Sequence, residues 1–472
     1  MSYDLYVELG GNSQQDADAL TQGSHRSIQI ADIATCIRLL AGIAAQNESV
    51  KDYAVSGDRN KGGGYKSLVH AKDPKQHAKD PKPKQSVYAT ALIAKQWPAL
   101  RTLGLLQPSM LLDSLPPGSW FLQFAFTLAK PWISKDDDPF YVAESVNPVR
   151  KDKVFKVPVM SAAAWKGLLR WTLMRTRLAL KKDSLTPKRF AQERFVQTLL
   201  FGDEKGEEGG ATKDFAAYLD ALQPQARPEY ERLLRAYYDL KADDPLPHHS
   251  GRLMFYPTFF DLIDVEVINP HSRRTKAGTH PIYLECVPAG AQGTFSLLYV
   301  PFDLIGQPEG EIKKQAAEDL QRVAEGLQAM FLTYGFSAKR SSGYGVAKET
   351  VTDGRIETNL PDIVQHSPPE EPVMPTTVSE FLAQFPGEDF SLKPDEWRKK
   401  HNATNTQREQ YKNARKDHQQ YQENRRAYAD ALAQWNAKAQ EPQLLQRSFD
   451  SFDKLVEVAK SIAEPLTQGG ER

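Results

Sequence analysis

Cysteine is scarce in this chain of 472 residues, which contains only Cys36 and Cys286. Two cysteines are too few for a structural zinc site, and their wide separation gives no local redox pair. We therefore expect two reduced and partly buried thiols.

Long apolar runs and net charge are also missing. No stretch approaches the roughly 20 apolar residues that a membrane helix needs, and Asp4 and Glu8 stand where a signal peptide would be basic and then apolar. We therefore expect a cytoplasmic protein without a membrane partner. Lys and Arg total 60, as do Asp and Glu. This balance argues against coating of nucleic acid through bulk charge but allows a locally basic groove.

The length is that of about two structural units. Residues 1–118 are either an accessory region or an early part of the core, and the sequence leaves both alternatives open. Within them, residues 56–85 contain few apolar residues and a tandem repeat that starts at His70 and again at His77. A Lys/Pro-rich run of this kind cannot bury enough surface to order itself, so we predict a disordered insertion.

Residues 119–352 have the pattern of an α+β core. The elements predicted from periodicity and capping are a strand at 120–128, a helix from Ala162 to about 182, strands at 251–260, 264–268, 281–288 and 293–302, a helix at 311–334 and a closing strand. This order predicts a ferredoxin-like (RRM-like) fold with large insertions, and such a fold often exposes one sheet face.

Beyond the core, residues 353–396 have the composition of a linker. Residues 397–440 contain neither proline nor glycine and are rich in helix-forming residues, which predicts a long helix. A second helix is predicted near 449–462. We therefore expect residues 397–472 to be a helical C-terminal extension.

Three features point to phosphate binding. The first is the start of the helix capped by Ser161, where Lys166 and Arg170 share one helix face near its positive N-terminal end. The second is the glycine loop, residues 335–345, in which three glycines allow close approach of a ligand to the backbone. Its donor residues are Lys339, Arg340, Ser341, Ser342 and Tyr344.

The third feature is a charged excursion after the first strand of the core. Arg150 and Lys151 follow an acidic triplet, Asp136 to Asp138. Taken singly, each of the three features has an ordinary surface or turn as its alternative. Taken together in one βα-type core, they favour a site for a nucleic-acid backbone.

Four motifs follow one another along the core. Val157-Pro-Val-Met-Ser-Ala-Ala-Ala-Trp-Lys-Gly-Leu-Leu-Arg is followed by Leu200-Phe-Gly, by Gly251-Arg-Leu-Met-Phe and by the glycine loop. The series resembles the signature of the RAMP superfamily of CRISPR proteins, in particular the backbone subunits of type III RNA-targeting effector complexes. The resemblance covers about residues 120–351, with extra residues between Ser161 and Lys166.

The resemblance implies a subunit that grips the sugar-phosphate backbone of a guide RNA without reading its sequence. It implies other RAMP-type effector subunits and complementary target RNA as partners. It also implies a hairpin "thumb", for which the segment from Lys130 to Lys156 is the candidate.

Family members that cut target RNA use an aspartate, in the loop after the first strand, together with a divalent metal. The matching position here holds Val146 or Asn147, and neither is a carboxylate ligand. The substitutes that the sequence offers are Asp136, Asp137, Asp138 and Glu144. The first hypothesis is therefore a structural subunit without a cofactor, and the second is a Mg²⁺-dependent endoribonuclease subunit.

A third hypothesis is a stand-alone guide-RNA-processing endonuclease, in which a histidine acts as general acid or base without a metal. Its candidates are His248, His249, His271 and His280. A requirement for partner subunits separates the first hypothesis from the third, and metal dependence separates the second from the third.

Overall fold

The computed structural model describes the residues in the following ranges: 11–25, 28–30, 32–57, 63–70, 85–134, 146–206, 213–242, 244–271, 274, 278, 281–360, 372–373, 380–440 and 445–467. Among these residues no helix has the length and apolar content needed to cross a bilayer.

Twelve strands are present in the described ranges. They are β1 (Ser24–His25), β2 (Ile28–Gln29), β3 (Trp120–Leu128), β4 (Val146–Asn147), β5 (Val159–Met160), β6 (Leu253–Phe255), β7 (Thr258–Phe259), β8 (Asp264–Ile268), β9 (Ile282–Cys286), β10 (Gln292–Tyr299), β11 (Ala347–Thr358) and β12 (Leu445–Ser451).

The same ranges contain fourteen α-helices. They are α1 (Gln14–Thr21), α2 (Ile33–Gln46), α3 (Glu48–Ser56), α4 (Gly64–Val69), α5 (Ala94–Thr102), α6 (Ala162–Leu173), α7 (Pro187–Phe201), α8 (Asp214–Leu222), α9 (Arg227–Tyr237), α10 (Glu309–Ala329), α11 (Glu380–Ala383), α12 (Pro394–His401), α13 (Asn405–Gln440) and α14 (Phe452–Thr467). Two of the core helices, α6 and α10, continue as single π-helical segments, Met174–Leu178 and Met330–Tyr334.

The main sheet has five strands in the order β12-β11-β3-β10-β6, and every neighbouring pair is antiparallel. Along the chain, the core elements come in the order β3, α6, β6, β10, α10 and β11. This βαββαβ order, with the strands arranged 4-1-3-2 in the sheet, is that of the ferredoxin-like fold. The predicted α+β core with an antiparallel sheet is confirmed.

One face of the sheet packs on α6 and α10 through aromatic rings. Alternate residues of β3 point to this face, as the two-residue period of a strand requires. The ring of Phe126 lies 5.0 Å from that of Phe331 and 6.2 Å from that of Trp165, both centroid to centroid. These side chains are almost completely buried, and they fix the start of α6 relative to the sheet.

The opposite face is covered at one end, in contrast to the open face that such a fold often has. The side-chain amide of Gln123 donates to the carbonyl oxygen of Pro108 at 3.0 Å and to Ser296 Oγ at 2.9 Å. Phe121 on the same face is fully buried and meets the ring of Tyr256 edge-on. The chain that precedes β3 therefore forms a lid over this half of the sheet.

The C-terminal region differs from the predicted helical extension. Residues 445–451 form β12, which pairs with β11, and α14 follows it directly. Phe452 is fully buried, with its ring 5.3 Å from that of Phe124 and 5.1 Å from that of Phe331. The prediction was wrong here because pairing with a distant strand decides the structure of so short a segment.

Residues 364–444 form a separate compact unit, inserted in the chain between β11 and β12. Its described core consists of Phe390, Trp397, Tyr411 and Ala414. Trp397 and Tyr411 stack with a centroid distance of 4.4 Å. The predicted long helix is interrupted at Asn402, which has a left-handed backbone (φ 46°) at the end of α12.

The helices that precede β3 share the core of the main unit. Buried apolar residues from α1 to α5 belong to the same hydrophobic cluster as those of β3. Part of the predicted disordered insertion is ordered, since α4 buries Tyr65, Leu68 and Val69. The prediction missed this helix because it has only three apolar residues and directly follows a glycine-rich turn, which is typical of a loop. The tandem repeat after His70 lies outside the described residues.

The two cysteine thiols are free and buried, as predicted. Burial raises the pKa of Cys36 to about 11. Burial also raises the pKa of Cys286, helped by the nearby carboxylates of Asp264 and Glu266. Both thiols are therefore held protonated and unreactive at neutral pH.

Candidate nucleic-acid interface

The start of α6 and the glycine loop meet in one cleft of about 490 Å³. The residues that line it are Trp132, Ile133 and Ser134 after β3, Met160, Ala164 and Leu168 at the start of α6, and Phe336 to Arg340 in the glycine loop. Two segments that the sequence singled out, the start of this helix and the glycine loop, therefore come together in space.

The glycine loop depends on its glycines for its shape. Gly345 has a left-handed backbone (φ 68°), and a Cβ there would lie 2.7 Å from the backbone nitrogen of Ser337. Lys339 also has a left-handed backbone (φ 59°), a conformation that is strained for a residue with a Cβ atom. The loop thus turns tightly and presents Lys339, Ser341 and Ser342 as exposed side chains.

Arg340 is the central cation of the cleft. Its guanidinium carbon lies 4.2 Å from the ring centroid of Trp171 on α6, which is a cation–π contact. Its Nη1 is buried, and no hydrogen-bond partner for it lies among the described residues. Burial lowers the pKa of this guanidinium. Lys130 reaches the same loop, with Nζ 3.7 Å from where a Cβ on Gly343 would stand.

Lys166 and Arg170 lie on another side of α6. At about 100° per residue, Lys166 lies roughly 170° and Arg170 roughly 130° around the helix from the mean direction of Ala164, Leu168 and Trp171. Nη1 and Nη2 of Arg170 donate to the carbonyl oxygens of Asp203 (2.8 Å) and Gly202 (3.2 Å). The predicted placement of these two cations beside the glycine loop is therefore wrong.

Arg170 instead fixes the Leu200-Phe-Gly element to α6 through those carbonyl bonds. Burial lowers the pKa of Lys166, and the neighbouring charge of Arg170 adds to this effect. The sequence placed both residues correctly on one helix face. It could not show which element packs against that face.

Ser161 and Tyr344 are held by hydrogen bonds within the fold. Ser161 Oγ accepts a bond from the backbone nitrogen of Ala164 at 3.3 Å and so caps α6, as predicted. The hydroxyl of Tyr344 donates to Glu266 Oε1 at 2.9 Å. Burial and the Glu266 carboxylate raise the pKa of Tyr344 to about 12.

Lys151 does not reach solvent, and its predicted role in RNA binding is wrong. Its side chain is fully buried and its ammonium forms an ion pair with the equally buried Glu285. Glu285 also accepts hydrogen bonds from the hydroxyl of Tyr65 and, at 3.1 Å, from the backbone nitrogen of Val149. A charged side chain without such a partner would stay in water, and only the fold supplies the partner.

Arg150, the neighbour of Lys151, is exposed. Its backbone nitrogen donates to Ser134 Oγ at 2.9 Å, and Ser134 lines the cleft. This bond holds the segment of Arg150 against the edge of the cleft. Ser134 and Trp171 were not singled out in the sequence, because neither residue type nor spacing marks them.

The catalytic candidates Asp136, Asp137, Asp138 and Glu144 lie outside the described residues, together with part of the thumb candidate. At the position matched to the family's aspartate, Val146 and Asn147 form β4, which pairs in parallel with β9. Within the described ranges no three His, Cys, Asp or Glu side chains are grouped as a metal site. A role in cleavage stays a prediction.

Among the described histidine candidates, His248 and His271 are exposed and His249 is half-buried. Nδ1 of the exposed His248 lies 2.9 Å from Asp203 Oδ2. The backbone nitrogen of His249 donates to Oδ1 of the same aspartate at 2.8 Å. His271 takes part in an isolated bridge with Gly278, and His280 lies outside the described residues.

Comparison with known families agrees with the fold and the motif order. The model of the RAMP superfamily matches residues 139–348, from the loop before α6 to the start of β11. The sequence motifs predicted this similarity to the RAMP superfamily. None of the curated proteins matches the chain.

Several solved structures are similar to the chain. One is a cryo-EM structure of the Type III-B Cmr-beta bound to cognate target RNA, with 11% identity, a TM-score of 0.32, and 75% of this chain and 95% of that chain covered. A second is a CRISPR RNA-guided surveillance complex, pre-nicking (11%, 0.30, 61% and 89%). A third is a crystal structure of Cmr6 from Pyrococcus furiosus (13%, 0.24, 49% and 99%).

Proposed function

We propose that this chain is a guide-RNA-binding structural subunit of a type III CRISPR effector ribonucleoprotein in the cytoplasm. It grips the RNA backbone in the cleft between α6 and the glycine loop, and it stacks with other RAMP-type subunits. Complementary target RNA then pairs with the guide. The order of the RAMP motifs and the match to the superfamily support this class of protein.

The observation that carries the proposal is the partly buried Arg340 guanidinium. Its Nη1 has no hydrogen-bond partner among the described residues, and its pKa is lowered by burial. A buried donor without an acceptor is costly. A phosphate oxygen would supply both the acceptor and the opposite charge, and guanidinium–phosphate bonds are among the stronger ones in proteins.

The remaining groups at the cleft suit a backbone ligand. Lys339 adds a second cation, and the hydroxyls of Ser341 and Ser342 are exposed beside it. Contacts of these kinds fix the position of a strand without reading its bases. The proposed grip is therefore independent of guide sequence.

The test is the salt dependence of RNA binding, measured by fluorescence anisotropy on the full chain with single-stranded RNAs of several sequences. We compare the double variant Lys339→Ala/Arg340→Ala with the unchanged chain. Each phosphate contact on single strands contributes about 0.7 to the slope of log K against log salt. Loss of two contacts should therefore reduce the slope by about 1.4 for every sequence.

A matched control is Lys181→Ala/Lys182→Ala, which removes the same charge from two exposed neighbouring residues at the end of the α6 segment. It should leave the slope unchanged. An equal fall in both double variants would show a general charge effect, and an unchanged slope for Lys339→Ala/Arg340→Ala would refute the proposed cleft. A loss confined to certain RNA sequences would refute backbone binding.

A further inference from the structure

A second cleft lies on the sheet face opposite α6 and α10. Ala125 on β3 pairs in register with Thr294 on β10 and with Thr352 on β11, so these three residues form a row across the sheet. Ala125 alternates with Phe124 and Phe126, which point to the helices, so the row faces the other way. All three side chains are small, and they leave room above the sheet where the lid over Gln123 ends.

The cleft has a volume of about 370 Å³, within the roughly 300–1,000 Å³ of small-ligand sites. Trp97, Arg101 and Gln107 line it from α5 and the segment that follows. Trp97 is partly buried against the main core, whereas Arg101 is exposed. One wall therefore offers an aromatic ring and a cation side by side on one helix.

Asp261 also lines the cleft. Its Oδ1 accepts a hydrogen bond from the backbone nitrogen of Gln292 at 3.0 Å, and no ion pair among the described residues involves it. Burial raises the pKa of this carboxyl group. Its remaining lone pairs are acceptors in a partly desolvated place, where a ligand N–H group would be bound more strongly than in water.

Strand β11 is irregular at Asp353, which also lines the cleft. The register between β11 and β3 shifts after Thr352, and Asp353 has a left-handed backbone with φ 52°. Such irregularities re-aim side chains, and strained residues of this kind occur often at ligand sites. The shift falls at the row that forms the floor of the cleft.

We infer that this second cleft binds one guanine nucleotide. The base lies against the ring of Trp97, because stacking on an aromatic side chain is the common way to hold an extruded base. The phosphate reaches Arg101, whose planar donors suit phosphate oxygens. The site lies on the opposite side of the sheet from the cleft of Arg340, so it does not depend on the proposed function.

Asp261 selects guanine. The Watson–Crick edge of guanine places two N–H donors next to each other, N1–H and the N2 amino group, and a carboxylate can accept both. Adenine, cytosine and uracil have no two neighbouring donors on that edge, so one oxygen of Asp261 would face an acceptor of the base. Good bidentate pairs between a side chain and a base contribute roughly 1–3 kcal/mol of discrimination.

The experiment is calorimetric titration of the full chain with GMP, AMP, CMP and UMP. GMP should bind at least about tenfold more tightly than the other three. Asp261→Asn should remove most of this preference, and Arg101→Ala should weaken GMP but leave guanosine nearly unaffected. The matched controls are Asp113→Asn and Lys95→Ala, since both residues are exposed and Lys95 lies on the same helix as Arg101.

A second arm distinguishes free nucleotide from RNA as the source of the base. A nine-residue oligouridylate with one central guanosine is compared with oligouridylate alone. Tighter binding of the guanosine-containing strand, lost in Asp261→Asn, identifies an RNA base as the ligand. Preference for GMP without that difference identifies a free nucleotide.

Equal binding of the four nucleotides, absence of GMP binding, or indifference of GMP binding to both Asp261→Asn and Arg101→Ala would overturn the inference. Arg101→Ala keeps the test valid if Asp261→Asn fails to fold, because the Arg101 side chain is exposed. The Lys339→Ala/Arg340→Ala variant should bind GMP normally. Failure of the backbone cleft and failure of the nucleotide cleft are therefore separate results.

Discussion

The guanidinium of Arg340 lies over the indole of Trp171, 4.2 Å from its centroid, and this contact joins the glycine loop to α6. The ring of Tyr334 meets the same indole edge-on, with centroids 5.3 Å apart. Trp171 is thus a positioning residue for the proposed phosphate site, since it orients the cation and is not among the residues that line the cleft.

Replacement of Trp171 by leucine should weaken RNA binding without removing a charge. Cation–π contacts are worth about 1 kcal/mol at partly exposed sites, so we expect a loss of about fivefold in affinity. The salt slope should stay unchanged, because Arg340 is still present. Trp171→Phe keeps an aromatic face and should restore most of the affinity in the same anisotropy assay. A loss in Trp171→Leu as large as that in Arg340→Ala would contradict a positioning role.

Replacement of the buried Lys151 by methionine should destabilise the main unit by about 3–5 kcal/mol, because Glu285 is left charged and without its partner. Urea denaturation followed by circular dichroism measures this change. The control Lys153→Met, at an exposed residue two positions away, should change the stability by less than about 0.5 kcal/mol.

The double variant Lys151→Met/Glu285→Gln tests the cause. Removal of both charges should recover part of the stability lost in Lys151→Met, because no uncompensated charge stays buried. A double variant that is less stable than Lys151→Met would show that the unpaired charge of Glu285 is not the reason for the loss.

Truncation of Phe452 to alanine should cost about 3–5 kcal/mol, the range for removal of a buried aromatic ring. Phe452 is fully buried against Phe124 and Phe331. Lys454→Ala on the same helix, where the side chain is exposed, is the matched control. A free C-terminal extension would tolerate both changes equally, so similar urea midpoints would argue against the position of α14 in the core.

The hydrogen bond from Tyr344 to Glu266 should make stability depend on pH in the alkaline range. The pKa of Tyr344 is raised to about 12 in the folded chain, against about 10 in an unfolded one. The folded state then keeps a proton that the unfolded state loses. The stabilisation is complete below about pH 10 and is lost as the pH rises towards 12.

The measurement is the difference in urea midpoint between the unchanged chain and Tyr344→Phe, at pH 8.5 and at pH 11. The difference should be smaller at pH 11. Tyr218→Phe, at a side chain that is 42% exposed, controls for the loss of one tyrosine. A difference that is the same at both values would show that Glu266 does not hold the proton of Tyr344.

The order of core elements was predictable because each carries its own periodicity. The strand predicted at 120–128 is β3, and the strand predicted at 264–268 is β8, both with the same bounds. The helix predicted at 311–334 corresponds to α10 and its π-helical continuation. These segments are long or strongly apolar, so local pattern and tertiary packing require the same structure.

The unpredicted features are those that a distant partner decides. Lys151 and Lys153 look alike in the sequence, and only Glu285, 134 residues away, makes the first a buried ion pair. Strand β12 is short and mixed in polarity, and β11 supplies the hydrogen bonds that make it a strand. Arg170 shares a helix face with Lys166 as predicted, but its carbonyl acceptors come from the end of α7.

The position of β12 and α14 also affects the order in which the protein can fold during synthesis. Phe452 covers the rings of Phe124 and Phe331, so the ribosome must make the whole segment 364–444 before this cover exists. A nascent chain with exposed aromatic surface is a target for chaperones and prone to aggregation. A premature stop within 364–444 should therefore give a product that is degraded, and the yield of the intact protein should depend on chaperone supply.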